Sequence, residues 1–112
     1  MKLKTAICDL LNIEYPIIQG GMTYLGHAGL ASAVSNAGGL GVISGNASPD
    51  WVMEQINSVR LLTDKPFGIN IVATSSVTAE VIDIILKEQV PIVTVGGGVS
   101  NINISEPIID ID

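Results

Sequence analysis

The feature that most constrains this chain is a rhythm. Four short runs of continuously apolar or β-favouring residues, "EYPIIQ", "LGVIS", "FGINIV" and "PIVTV", recur about every 25 residues. Strands buried on one face only would alternate apolar with polar. Unbroken runs are expected where helices cover both faces of a parallel sheet. The intervals between them carry helical spacing. A short helical turn is expected over residues 5–11, with Ile7, Leu10 and Leu11 on one side. A helix from about Tyr24 through Ala37 follows, with Leu30, Val34 and Ala37 inward, ended by Gly38 and Gly39. Ser48-Pro49 opens the next helix with a capping hydroxyl and a proline at the first helical position; Val52, Ile56 and Val59 line its inner face, and Thr63-Asp64-Lys65-Pro66 closes it. A third spans about Val77 to Glu88, with Val77, Val81 and Ile85 inward and Asp83 facing Lys87. The predicted order is βαβαβαβ, an α/β fold with a parallel sheet. Beyond Gly98 the segment "VSNINISEPIIDID" breaks the rhythm and reads as a short strand or a tail.

All strand C-termini of such a sheet lie on one side, and ligands bind on the loops that follow them. Here those loops are Gln19-Gly20-Gly21-Met22-Thr23, Ser44-Gly45-Asn46, Asn70, and Thr94 to Gly98. Each is small or carries an amide or hydroxyl. Glycine admits close approach of a flat ligand to the backbone, and amides both donate and accept. Taken singly, a glycine after a strand more often serves a tight turn. The repetition at equivalent points is what indicates a wall for a planar, heteroatom-rich group, with Gln19, Asn46, Asn70 and Thr94 at a common rim.

Other chemistries find little support. "GGMTYLG" lacks the G-x-G-x-x-G spacing, no acidic residue ends the second strand, and the P-loop pattern is absent. His27 is the sole histidine and Cys8 the sole cysteine, too few for a zinc site and no basis for an internal disulfide. Ser44 has no His–Asp partnership in view. The net charge is −6 and the five cations Lys2, Lys4, Arg60, Lys65 and Lys87 are scattered, which argues against nucleic acid or an anionic membrane as a partner. No secretory signal or membrane-length apolar run is visible, and a cytoplasmic location is expected.

The segments "YPIIQGGM", "LASAVSNAGGLGVIS", "LTDKPFGINI" and "PIVTVGGG" resemble, in order and spacing, the start of the nitronate monooxygenase family, which includes 2-nitropropane dioxygenase-like proteins and the flavin-dependent enoyl-acyl-carrier-protein reductase II. The resemblance covers about residues 5 to 98. It implies that residues 1–98 form the first half of a TIM-type (β/α)8 barrel that binds FMN non-covalently, with 99–112 a divergent acidic tail. Matched position by position, it implies flavin contacts from Gly21, Met22 and Thr23, from Ser44 and Gly45, from Asn70 of the "FGIN" motif, and from Gly96 and Gly97. The implied substrate is a small molecule, an alkyl nitronate or an enoyl thioester. The family's later "GGHxG" segment, with its catalytic histidine, has no counterpart here, so no catalytic residue is assigned. A truncated form of an oxidoreductase is expected, the alternatives being a non-catalytic structural fragment or a small phosphate- or nucleotide-binding domain. Half a barrel would leave one face of the sheet and the edges of its first and fourth strands bare. From that, a homo-oligomer is expected.

Overall fold

A computed structural model describes residues 4–97 throughout and residues 108–110 as main chain. The elements run α1 (Ala6–Leu11), α2 (Ala28–Asn36), β1 (Gly41–Ser44), α3 (Pro49–Leu62), β2 (Phe67–Val72), α4 (Thr78–Lys87), β3 (Ile92–Gly96) and β4 (Ile108–Asp110). The four strands form one parallel sheet in the order β1-β2-β3-β4. This is the α/β architecture expected, the first half of a (β/α)8 barrel. The segment "NINIS" and the rest of the stretch from 98 to 107 lie outside the described residues.

Local signals explain most boundaries. Ser48 caps α3, its Oγ accepting from Trp51 N–H at 3.3 Å, and Pro49 takes the first turn. Val52, Ile56 and Val59 are buried as their spacing requires. In α4 it is Thr78, Val81 and Ile85 that are buried, with Val77 serving as the cap residue. Asp83 and Lys87 form no ion pair. The last turn of α3 is instead tied to the end of α4 by Arg60, whose guanidinium meets the Glu88 carboxylate at 3.2 Å.

Two helices differ from expectation. α2 begins at Ala28 rather than near Tyr24, because residues 22–26 close a tight turn: Gly26 N–H donates to Met22 C=O at 2.8 Å, and Tyr24 sits in the left-handed region at φ 60°. The exposed His27 then caps the helix, its Nδ1 accepting from Leu30 N–H at 3.3 Å. The buried face of α2 is Ala28, Ala31, Ser32 and Ser35, not Leu30, Val34 and Ala37. Small residues let this helix lie directly on β1: a Cβ on Gly41 would overlap the carbonyl of Ala31. Ser35 Oγ joins the two, accepting from Gly41 N–H at 2.9 Å and donating to Pro66 C=O at 2.8 Å. In α1, Cys8 and Leu11 face inward while Leu10 is 67% exposed.

The first predicted strand, "EYPIIQ", reduces to one parallel bridge, Ile18 with Leu40. The sheet has two covered faces. Ile43, Phe67, Ile69, Ile71, Val93 and Val95 pack under α2, α3 and α4. On the opposite face Leu40, Val42 and Ile92 pack with Cys8, Leu11 and Ile13 of the α1 region. The expectation of a bare second face is therefore corrected: the short N-terminal helix seals its lower half. Of the two edges expected to be bare, that of the fourth predicted strand is paired. β4 runs along β3, with Thr94 opposite Ile109. The outer edge of β1 is met by the chain from Ile17 to Gly26.

Candidate functional site

Parallel pairing sets Ser44, Asn70 and Thr94 in one row across β1, β2 and β3. They share the face opposite α2–α4, near the strand C-termini, and are all buried. Directly below them, two residues back along each strand, lie Val42, Gly68 and Ile92. The second face thus changes from apolar to polar within one step of its strands.

Asn70 is the centre of the row. Its Oδ1 accepts from Thr94 Oγ1 at 2.7 Å, and its main-chain carbonyl accepts from Gly45 N–H at 2.6 Å. Its N–H₂ group has no hydrogen bond among the described residues. No side-chain polar atom sealed from solvent is left without a partner among the described residues, so this amide opens to the rim. Gly21 lies against it: a Cβ there would come within 2.8 Å of Asn70 Nδ2 and nearer still to Asn70 Cβ.

The glycines at the rim divide into two kinds. Gly21 and Gly45 are required by the close approach of Asn70, and Gly97 by its φ of +84°. Gly20 and Gly96 have no such internal reason. A Cβ on Gly20 would meet nothing within 4 Å, one on Gly96 would only touch Asn70 Oδ1 at 4.0 Å, and neither has positive φ. Gly96 stands beside the Asn70 amide, and a Cβ at Gly20 would point into open space.

The main chain beside them carries donors. Among the described residues, the N–H groups of Gly20, Gly21, Met22 and Thr23 have no hydrogen-bond partner. Gln19 explains why. Its own N–H donates to Leu40 C=O at 3.0 Å, and its side-chain amide then continues the ladder, Nε2 donating to Val42 C=O at 2.9 Å and Oε1 accepting from Val42 N–H at 3.1 Å. A side chain performs the pairing that a further strand residue would perform. Ser44 N–H is satisfied by Gly26 C=O at 2.8 Å. Gln19 is thus not a ligand-facing amide, as the sequence suggested, but the group that ends the strand early.

The structure gathers Gly21, Ser44, Gly45, Asn70 and Gly96 around one point. Met22 and Thr23 continue outward from it and are exposed, Met22 by 43%. Gly97 lies at the turn above Val72. Asn46 is half-buried and makes no hydrogen bond within the described residues. Thr94, which the sequence placed at the common rim, lies in the same row and spends its hydroxyl on Asn70. A separate polar cavity of about 170 Å³, lined by Asn12, Glu14, Asn36 and Lys65 among others, sits beside Gly39 and Pro66, which precede β1 and β2, away from this rim. Among the described residues no group of three or more His, Cys, Asp or Glu side chains is placed to hold a metal ion.

The parallel sheet, with strand order following the chain and α2–α4 on one face, has the architecture of the first half of a (β/α)8 barrel. Within that fold class the chain belongs to the nitronate monooxygenase family, whose family model matches residues 4–96. It is 38% identical over 91 residues to the (3aS,4S,5R,7aS)-5-hydroxy-7a-methyl-1-oxo-octahydro-1H-indene-4-carboxyl-CoA dehydrogenase of Mycobacterium tuberculosis, covering 80% of this chain and 26% of that protein. It is 45% identical over 76 residues to a probable nitronate monooxygenase of Staphylococcus saprophyticus, covering 67% and 21%. Among solved structures it resembles FabK from Thermotoga maritima, with a TM-score of 0.82 and 46% identity over 86% of this chain and 31% of that one. A nitroalkane oxidase from Streptomyces ansochromogenes matches with a TM-score of 0.67 and 25% identity, over 81% and 35%. The chain spans roughly a quarter of the length of the curated relatives it matches.

Proposed function

We propose that this chain forms the flavin wall of an FMN-dependent oxidoreductase of the nitronate monooxygenase or enoyl-acyl-carrier-protein reductase II type. The observation that carries the reading is the run of unpaired N–H groups at residues 20–23 beside the open amide of Asn70. FMN fits that donor set. Its ring edge is rich in acceptors, and main-chain donors fixed in advance stabilise negative charge there without reorganisation. Gly20 and Gly96 supply the clearance a flat ring needs, and Ser44 and Gly45 border it from β1. When bound, FMN would supply the redox chemistry, either oxidation of an alkyl nitronate with oxygen as the oxidant or passage of a hydride from NAD(P)H to an enoyl thioester. The chain's residues hold and orient the ring; Met22, Thr23 and Gly97 complete the contacts proposed for this segment. The proposal keeps a cytoplasmic location, for which the buried lone Cys8 speaks, and self-association through exposed outer residues such as Leu61, 88% exposed.

Unpaired main-chain N–H groups also suit a phosphate, which favours the phosphate- or nucleotide-binding alternative as the second reading. Titration with FMN, followed by flavin fluorescence, separates the two. The first reading expects quenching on binding and about tenfold weaker affinity for Asn70→Ala, equivalent to one hydrogen bond of about 1.4 kcal/mol. Unchanged affinity in Asn70→Ala would remove the role given to that amide. Binding of inorganic phosphate with no binding of FMN would select the second reading.

A further inference from the structure

We propose that Thr94 is a positioning residue that fixes which end of the Asn70 amide faces the ligand, and so makes this site select a hydrogen-bond acceptor. The inference rests on the reading of Asn70 as a ligand contact and adds the polarity of that contact. A side-chain amide is two-ended, with a carbonyl that accepts and an N–H₂ that donates, and its orientation follows from its partners. Thr94 Oγ1 is fully buried and lies 2.7 Å from Asn70 Oδ1. Among the described residues that contact is the hydroxyl's sole hydrogen bond. Turning the amide over would set N–H₂ against the hydroxyl and leave the buried hydroxyl proton without an acceptor, an arrangement buried polar groups avoid.

The remaining surroundings hold the same orientation. Gly45 N–H fixes the Asn70 carbonyl in the main chain, and Gly21 gives the side chain a close wall on its Nδ2 side. The N–H₂ then opens to the rim with the same polarity as the N–H groups of residues 20–23. At this point the rim presents the Asn70 N–H₂ and, beside it, the N–H groups of residues 20–23 as donors. A ligand that offers a ring carbonyl, a ring nitrogen lone pair or an oxyanion is matched; one that offers an N–H at that point would meet a second donor.

The test uses the Asn70 side-chain N–H₂ as its own reporter, in the complete chain without flavin. In the unaltered protein and in Thr94→Ser, nuclear Overhauser contacts from the Asn70 N–H₂ protons to the Gly21 α-protons are expected, with a single narrow pair of amide signals. In Thr94→Val, which keeps the volume and removes the hydroxyl, the pair should broaden and those contacts should weaken. FMN affinity should fall about tenfold in Thr94→Val, the equivalent of one hydrogen bond, and be restored to within about threefold in Thr94→Ser. An unchanged pattern of contacts in Thr94→Val overturns the proposal. Because the contacts are read without flavin, a chain that binds no FMN counts against the functional reading while they still uphold or overturn the role of Thr94.

Discussion

At Asn70 one residue ties its own strand to the ends of β1 and β3, and its surroundings show what one residue type does in different company. Gly20 and Gly21 are neighbours with the same letter and opposite reasons. Gly21→Ala drives a methyl into Asn70 and should cost about 1–3 kcal/mol in urea unfolding, as overpacked sites do. Gly20→Ala meets no neighbour and has no positive φ to strain, so it should be neutral or stabilise by about 0.4–1 kcal/mol through the unfolded chain. The same Gly20→Ala should weaken FMN, since its methyl enters the open space that the proposed flavin would occupy beside residues 20–23. The two unfolding curves and the two titrations together check the division of labour. The Gly-Gly pair was legible in the sequence as a signal. Which glycine answered to packing and which to space was not, because the deciding neighbour stands 49 positions later in the chain.

Among the elements, α3 was read almost to the residue, since Ser48, Pro49 and the Val52–Ile56–Val59 spacing all act locally. The inner face of α2 was misjudged because periodicity weighs bulk, whereas the fit between this helix and β1 depends on small side chains. The first strand was overestimated because no propensity reveals a side chain acting as a peptide. That role has a measurable signature. Gln19→Leu leaves both the N–H and the C=O of Val42 without their partners, and should cost about 2 kcal/mol or more while speeding hydrogen exchange at Val42. Gln19→Glu keeps the acceptor but sets an oxygen against Val42 C=O, and should recover only part of the loss. Ser35→Ala tests the second joint: it orphans Gly41 N–H and should destabilise by about 1–3 kcal/mol, seen as a lower urea midpoint.

For the molecule as a whole, the βα rhythm announced the parallel sheet, and the sheet follows it in order and direction. It did not announce the lower seal: the face expected for the short helix was Ile7, Leu10 and Leu11, whereas Cys8 and Leu11 are the residues that turn inward. The sequence allowed a short strand beyond Gly98 but did not show that Ile108–Asp110 would be the residues that pair with β3, two strands only eleven residues apart in the chain. That pairing covers an edge which would otherwise recruit another chain. Replacing both Ile108 and Ile109 by proline should remove it, and sedimentation velocity should then show larger species than the unaltered chain forms at equal concentration. The division of the inner face also has a consequence for depth. Val42 and Ile92 lie one step beneath Asn70, about 7 Å down the strands, and α1 closes that level with apolar side chains. Whatever enters from the strand ends is stopped there. The site is a shelf rather than a shaft, and a ring too wide to stand upright on it has to lie flat across the tips.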